Sequence, residues 1–331
     1  MSVWRCLSLS LLLVCLVACQ SSPTQVPKGS PVPASKETFA NTDLLPEDNP
    51  SVEPPADVQV DSSSVEDQLD STTSARYVWL DEYDIQQSIR FQIPVPSGSR
   101  RIRQDQLSFA HWLRHLPLKA AGSKVLLHDG TAKFRQDVHH RIVDIDRGRR
   151  DLQQCADAVM RLKAEYHYSQ NSYADIHFNY TSGDRVSFDD WRKGRKPWID
   201  GNRVRFREAG GAEDNSYANF KKYLISIFSY AGTASLEKEL QAVSIDQLQA
   251  GDVFIQGGFP GHAVLVMDVA EGAAGQTYFL LAQSYMPAQD IHILKNPTNA
   301  SLSPWYAVEE LDGVLQSPEW TFETRNLKRF P

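Results

Sequence analysis

The fold is decided by residues 251–269, which read GDVFIQGGFPGHAVLVMDV. A turn and a short strand lead into a glycine-rich loop, and an apolar run with strand-forming residues follows His262. Glycines in such a loop let the backbone approach a substrate or another strand closely, so Gly258, Phe259 and Gly261 are candidate substrate-binding residues. The pattern predicts that His262 lies where this loop meets a sheet, at the mouth of a functional site.

The strand that begins at His262 is predicted to turn and return as a second antiparallel strand. Pairing Asp268 with Tyr278 would set its register. That register brings His262 opposite Ser284, and a slip of one residue brings it opposite Gln283. Gln283 is the preferred partner because its amide oxygen can accept the imidazole Nδ1 proton and fix the tautomer.

A candidate nucleophile lies in residues 151–166, which read DLQQCADAVMRLKAEY. Apolar residues at helical spacing predict a buried helix, with Asp151 as N-cap and Gln154 completing a capping box. Cys155 would then lie in the first turn, where free backbone N–H groups and the helix dipole favour the thiolate. Gln153 and Gln154 are candidates to support an oxyanion beside the Cys155 N–H.

The N-terminal residues predict a secreted, lipidated protein. Residues 1–18 carry an apolar run of about 13 residues, short of the roughly 20 that span a bilayer as a helix. Residues 16–19, LVAC, resemble the lipobox of bacterial lipoproteins, which implies a lipid on Cys19 that anchors the protein to a membrane. By the same resemblance, Gln20 implies the outer membrane, with the protein facing the periplasm.

Residues 19–75 are predicted to form a disordered linker after the lipidated cysteine. Residues 20–75 contain 8 of the 18 prolines and ten acidic residues against two basic ones, and such a composition cannot bury a core. Residues 76–331 are then electrically balanced, which makes nucleic acid an unfavourable partner. Cys6 and Cys15 would be removed with the signal peptide, and Cys19 would carry the lipid. Cys155 would then be the single free thiol of the mature protein, so no internal disulfide is expected.

The two chemistry-bearing segments resemble a known superfamily. A cysteine at a helix start, a Gly-Asp-Val-Phe strand and a Gly-His before an apolar strand are similar to NlpC-type and CHAP-type papain-like peptidases and amidases. A closer resemblance, over about residues 77–330, is to bacterial lipoproteins of the domain of unknown function 4846 family. LQQCAD, YAGT, GGFPGHA and LAQSYMPAQ carry it.

The resemblance implies an α+β, papain-like core in residues 76–331, with an antiparallel sheet packed on the helix that bears the cysteine. The 107 positions between Cys155 and His262 imply an inserted subdomain over about residues 170–250. The predicted elements are a helix over 107–116, strands over 125–127, 142–145 and 176–180, a basic loop over 191–198, and an amphipathic helix from Tyr217 that Gly232 closes.

The function expected is that of a cell-envelope cysteine hydrolase acting on peptidoglycan stem peptides, with Cys155 as nucleophile and His262 as acid and base. Gln283 orients the imidazole, and Ser284 and Asp290 stay open as alternatives. No metal or cofactor is expected, because His111 and His115 lack a third ligand. Two other functions stay open: an acyltransferase or thioesterase with the same triad, and a catalytically inactive binding or assembly protein.

Overall fold

The computed structural model describes residues 77–201, 203–208 and 210–331. The predicted signal peptide, the predicted lipidation site at Cys19 and the predicted linker up to residue 75 lie outside the described residues. Within the described ranges, no helix is both long enough and apolar enough to cross a membrane.

The described chain is α+β, as predicted, and its sheets are antiparallel. The helices are α1 Ile89–Gln92, α2 Phe109–Arg114, α3 Cys155–Ser169, α4 Phe188–Arg192, α5 Tyr217–Tyr230 and α6 Thr233–Glu239. The strands are β1 Ser99–Arg101, β2 His139–Ile142, β3 His177–Asn179, β4 Arg185–Ser187, β5 Arg195–Asp200, β6 Arg203–Glu208, β7 Gln241–Ala242, β8 Val253–Gln256, β9 His262–Gly272, β10 Thr277–Gln283, β11 His292–Leu294, β12 Tyr306–Ala307, β13 Val314–Gln316, β14 Thr321–Glu323 and β15 Leu327–Arg329.

Nine strands form the central sheet, in the order β2-β11-β10-β9-β8-β15-β7, with β1 added to β9 and β12 added to β10. The pairs β3–β4, β5–β6 and β13–β14 form separate two-stranded sheets. β9 is buried along nearly its whole length, which explains why residues 262–270 read as a continuous apolar run with few interruptions.

Helix α3 packs on β9 and places its first residue, Cys155, at the start of that strand. Ala156, Val159 and Met160 of α3 share one apolar core with residues of β9, among them Ala263. The helix is buried on most of its circumference, so its hydrophobic stripe is wider than the predicted one. Burial of this kind, rather than helix propensity, supplies most of the stability of a helix in a protein.

The predicted capping of α3 was wrong by one turn. Gln154, not Asp151, is the N-cap residue, and its backbone N–H donates to Oδ2 of Asp157 at 3.0 Å. Asp151 instead holds the segment before the helix in place. Its Oδ1 accepts hydrogen bonds from the Ala288 backbone N–H at 2.6 Å and from Gln154 Nε2 at 3.1 Å.

Other local predictions also need correction. The stretch 125–127 is not a strand, since Leu126 and Leu127 form only isolated bridges. The strand expected at 142–145 ends at residue 142, where its pairing with the short β11 ends. Gly232 does not close α5, which Ala231 caps, but is itself the extended N-cap of α6, with φ of 177°.

The inserted segment contains the predicted strand near 176–180, observed as β3, and the predicted amphipathic helix, observed as α5. The stretch 191–198 is not a loop. Ser187 caps α4 by accepting a hydrogen bond from the Asp190 backbone N–H, and β5 then begins at Arg195. Three of its four basic side chains, those of Arg192, Lys193 and Arg195, are paired with acids, as with Lys193 and Asp189 at 2.7 Å. The fourth, Lys196, has its Nζ 4.9 Å from the Trp191 ring centroid, and the stretch forms a charged face.

Candidate active site

Cys155 and His262 lie in one neighbourhood at the end of the central sheet. The backbone N–H groups of Ala156 and Ala263 face the Cys155 sulfur, and Ala263 directly follows His262 in β9. Tyr285 borders both residues: its ring centroid is 4.8 Å from that of His262, and burial raises the pKa of its hydroxyl, with Glu319 and Cys155 acting in the same direction. The structure therefore places the Cys155 sulfur against the backbone that directly follows His262, although the sequence separates the two residues by 107 positions.

Cys155 is 8% exposed, and its thiol is free of any disulfide. Burial raises its pKa to about 11, and the nearby Asp157 carboxylate acts in the same direction. The backbone N–H groups at the helix start oppose this shift but are too weak to reverse it. The expectation that the first turn favours the thiolate is therefore wrong for this state, because desolvation outweighs the helix terminus.

His262 lies in a buried, aromatic environment. Its Nε2 lies 2.8 Å from Gln283 Oε1, and its ring centroid is 5.3 Å from that of Trp320 and 5.9 Å from that of Phe322. Burial lowers the pKa of His262 to about 4, against the hydrogen bond that His262 makes to Gln283 Oε1, and the charge of Lys133 lowers it further. The imidazole is therefore neutral near pH 7.

The structure pairs Gln283 with His262, although the predicted register was wrong. Asp268 lies opposite Leu280, not Tyr278, and a bulge between residues 280 and 281 shifts the register by one residue. Continuing from Ala282, which lies opposite Leu265, Gln283 falls diagonal to His262 on the same face of the sheet. The contact also uses Nε2 of the imidazole instead of the expected Nδ1, so Nδ1 is the nitrogen left to act as a base.

Neither alternative to Gln283 contacts the imidazole. Ser284 is fully buried, and its Oγ lies 2.8 Å from the Gln153 carbonyl oxygen and 2.9 Å from that of Gln289, so that its single hydroxyl proton can be donated to either. Asp290 is ion-paired with Lys119 at 3.0 Å and also accepts a hydrogen bond from the Leu126 backbone. Ser284 thus ties the segment before Cys155 to the segment after Gln283 and supports the site without touching His262.

The two candidate oxyanion supports differ in orientation. The Gln154 side chain turns back to Asp151. Gln153 is 2% exposed, and its Oε1 accepts a hydrogen bond from Arg161 Nη1 at 2.8 Å. Its Nε2 is buried and has no hydrogen-bond partner among the described residues. Of the two, Gln153 is the one with a buried donor to offer, two residues before Cys155.

The glycine-rich loop packs against α6, the helix that begins at Thr233. A Cβ on Gly261 would lie 2.4 Å from Thr233 Oγ1 and 2.7 Å from two backbone oxygens, so this glycine is required for close packing of the loop. Gly258 has a φ of +130° that favours glycine, and its carbonyl oxygen accepts from Thr233 Oγ1 at 3.3 Å. Phe259, at the loop tip, is 89% exposed and remains a candidate for contact with a ligand.

Sequence reasoning missed the polar groups on the far side of Gln283. Gln283 Nε2 donates to Glu319 Oε2 at 2.7 Å, and the same oxygen lies 2.5 Å from Lys133 Nζ. His292 Nε2 lies 3.5 Å from Gln283 Nε2. Glu319 immediately precedes Trp320, in residues 318–322, which read PEWTF. Nothing in the local pattern of this stretch indicated that its aromatic rings would pack against His262.

The family model described as domain of unknown function 4846 matches residues 89–329. The chain belongs to this family. The match includes the cysteine helix, the histidine strand and the Glu319 segment, so every residue of the site described above lies within the domain of unknown function 4846. No curated protein and no solved structure shows a significant match to the chain.

The described part of this domain of unknown function 4846 contains no group of three or more histidine, cysteine, aspartate or glutamate side chains placed to hold a metal ion. The chemistry of the site is instead that of one buried thiol, one neutral imidazole and an amide. These groups suit nucleophilic attack assisted by a general base.

The pKa of Cys155 gives a direct prediction for its reactivity. With a pKa of about 11, the thiolate fraction rises with pH throughout the neutral range. We expect the rate of iodoacetamide alkylation of native protein to increase about tenfold per pH unit between roughly pH 7 and 9. Mass spectrometry of the tryptic peptide that contains Cys155 measures this rate.

Protein unfolded in urea is the control, because its thiol should return to an ordinary pKa near 8.5 and its rate should level off above about pH 9. A native rate that stays constant between about pH 6 and 9 would contradict the prediction. It would show that a thiolate–imidazolium pair already exists in the resting protein.

Proposed function

We propose that this protein is a cysteine hydrolase, a peptidase or amidase of the bacterial cell envelope, with a papain-like arrangement of its antiparallel sheet and cysteine helix. Cys155 is the nucleophile, His262 the general base and acid, and Gln283 the group that orients the imidazole. The observation that carries the proposal is the 2.8 Å contact between His262 Nε2 and Gln283 Oε1, buried beside the helix start that holds the thiol. The Gln283 amide holds one imidazole nitrogen and leaves the other free to act as a base, as the proposed role requires.

The mechanism starts from a neutral pair, because the thiol has a pKa of about 11 and the imidazole one of about 4. As the sulfur attacks the carbonyl carbon, its proton passes to Nδ1 of His262, and the carbonyl oxygen becomes an oxyanion. The Cys155 N–H, with Nε2 of Gln153, is the donor set available to that oxyanion. His262 then protonates the leaving amine, and a water deprotonated by His262 hydrolyses the acyl-cysteine.

The proposed substrate class is a peptide with carboxylate groups, such as a peptidoglycan stem peptide. A small pocket of about 70 Å³ opens beside Gln153, two residues from the nucleophile. Its apolar wall includes Leu224 and Phe228, and its rim includes the exposed Arg149 and Arg150. A basic rim around an apolar wall suits a peptide that carries both carboxylates and aliphatic side chains. The lipobox-like N-terminus supports this substrate class, because a lipid on Cys19 would hold the protein in the cell envelope, where peptidoglycan occurs.

A second candidate function is a binding or assembly protein of the envelope with an inactive site. Its support is the burial of Cys155, a residue only 8% exposed, which strongly favours the protonated thiol. Under this alternative, Cys155 is a packing residue and the arginine-rimmed pocket alone binds ligand.

Incubation of the purified full chain with peptidoglycan tests the proposed function. We expect new stem-peptide fragments with free amines or carboxylates, detected by mass spectrometry, and their release should depend on Cys155. Intact peptidoglycan after prolonged incubation, together with binding that survives loss of the thiol, would instead support the inactive binding protein.

A further inference from the structure

The Gln283 side chain links His262 to a buried ion pair. Lys133 is 7% exposed, and the Glu319 side chain is 12% exposed. They meet at 2.5 Å between Nζ and Oε2, and Lys133 Nζ also lies 5.4 Å from the centroid of the Tyr285 ring. The pair joins a segment preceding β2 to the hairpin that covers His262.

The geometry points to Glu319, held by Lys133, as the positioning residue that sets the tautomer of His262 by fixing the orientation of the Gln283 amide. This inference rests on the proposed function only for its catalytic consequence. The claim about the proton on His262 concerns the resting protein and stands on the contacts themselves.

The acceptors around Gln283 fix which way its amide points. The ion-paired carboxylate of Glu319 offers only acceptor oxygens, so it must face the NH₂ group of Gln283, at 2.7 Å. His292 agrees with this assignment. Its Nδ1 lies 2.9 Å from the Asp290 carbonyl oxygen and must donate there, which leaves its Nε2 as an acceptor facing the same NH₂ group.

With both acceptors on its nitrogen side, Gln283 presents Oε1 to His262 and can only accept. His262 Nε2, at 2.8 Å, must therefore carry the proton. The lone pair is then on Nδ1, where the proposed mechanism needs a base. A flipped amide would place its NH₂ against Nε2 and favour the tautomer with the proton on Nδ1, which cannot accept the proton of the thiol.

Two paired variants isolate this effect without leaving a buried charge alone. Lys133→Met with Glu319→Gln removes both charges but keeps an amide oxygen that can accept from Gln283. Lys133→Met with Glu319→Met removes the acceptor as well. The full chain, purified in detergent and labelled with ¹⁵N-histidine, gives the tautomer from two-bond ¹⁵N–¹H correlation spectra. The His262 signals are assigned by their absence from a His262→Ala variant.

We expect the unsubstituted protein and the Gln-containing pair to show His262 protonated at Nε2. The Met-containing pair should show a substantial fraction protonated at Nδ1, and its kcat for peptide hydrolysis should fall about tenfold or more below that of the Gln-containing pair, with KM little changed. The matched acceptor should thus restore most of the lost rate.

The inference is overturned if the unsubstituted protein carries the proton on Nδ1, or if the Met-containing pair keeps the Nε2 tautomer. These readouts need no turnover. An absence of hydrolysis by every variant, combined with the expected tautomers, would therefore refute the proposed function and leave the role of Glu319 intact.

Discussion

Replacing Cys155 with Ala is expected to lower hydrolysis of peptidoglycan fragments by roughly 10⁴-fold or more. The sulfur is the group that forms the covalent intermediate, and no other nucleophilic side chain occupies its position at the start of α3. The adjacent donors cannot replace it, because an oxyanion site without a nucleophile leaves only attack by water. Release of amine-terminated fragments, followed by mass spectrometry, measures the loss.

Two further variants test whether a loss of activity in Cys155→Ala comes from the loss of the nucleophile. Combining Cys155→Ala with His262→Ala should cost no more than Cys155→Ala alone, because the thiol and the imidazole act as one unit. Met286→Ala is the matched control, since Met286 lies close to the site in sequence but is 56% exposed, and it should retain activity. Undiminished hydrolysis by folded Cys155→Ala protein would exclude Cys155 as the nucleophile.

The sequence predicted the parts of the site that depend on local pattern. Helical spacing after Cys155 predicted its helix, and the glycine-rich loop before an apolar run predicted a strand start at His262; both are observed. Each of these signals arises within about 20 consecutive residues, where periodicity directly reports which face is buried.

What the sequence could not predict depends on irregular or long-range structure. The bulge after Leu280 changes the strand register, and nothing in the apolar run TYFLLAQ indicates where a bulge will fall. Gln283 was chosen from a wrong register and is nevertheless the partner, because diagonal neighbours on one face also meet. Glu319 and Lys133 lie 186 positions apart, so only the folded chain reveals their pairing.

The largest stability effect is expected at Asp268, which is fully buried in β9 and bound by two arginines. Its Oδ2 lies 2.6 Å from Arg101 Nε, and its Oδ1 lies 2.8 Å from Arg114 Nη2. Arg101 also donates to the Ile93 carbonyl oxygen at 2.5 Å, and Arg114 to that of Ile102 at 2.7 Å. This centre therefore joins α1, α2, β1 and β9 through one carboxylate.

Asp268→Asn should lower the free energy of unfolding by about 3–5 kcal/mol, because it leaves two buried guanidinium groups without a counter-charge. Urea titration followed by circular dichroism measures the change. Glu271→Gln is the matched control on the same pair of strands. Glu271 meets Arg100 at 3.1 Å, but their side chains are 46% and 84% exposed, so its loss should cost less than about 1 kcal/mol.

The stabilisation that Asp268 provides depends on pH, because only its ionised carboxylate pairs with the two arginines. Burial alone would raise the pKa of Asp268, but the charges of Arg114 and Arg101 outweigh it and hold the pKa below its ordinary value. The unfolded carboxyl, with a pKa near 3.9, binds its proton before the folded one does, so the stabilisation is complete above about pH 4 and is lost as the pH falls further. The stability difference between the natural protein and Asp268→Asn should therefore be constant from about pH 5 to 8 and shrink only under stronger acid. A difference below about 1 kcal/mol at pH 7 would mean that the arginines find other partners and that this buried centre does not hold the helices to the sheet.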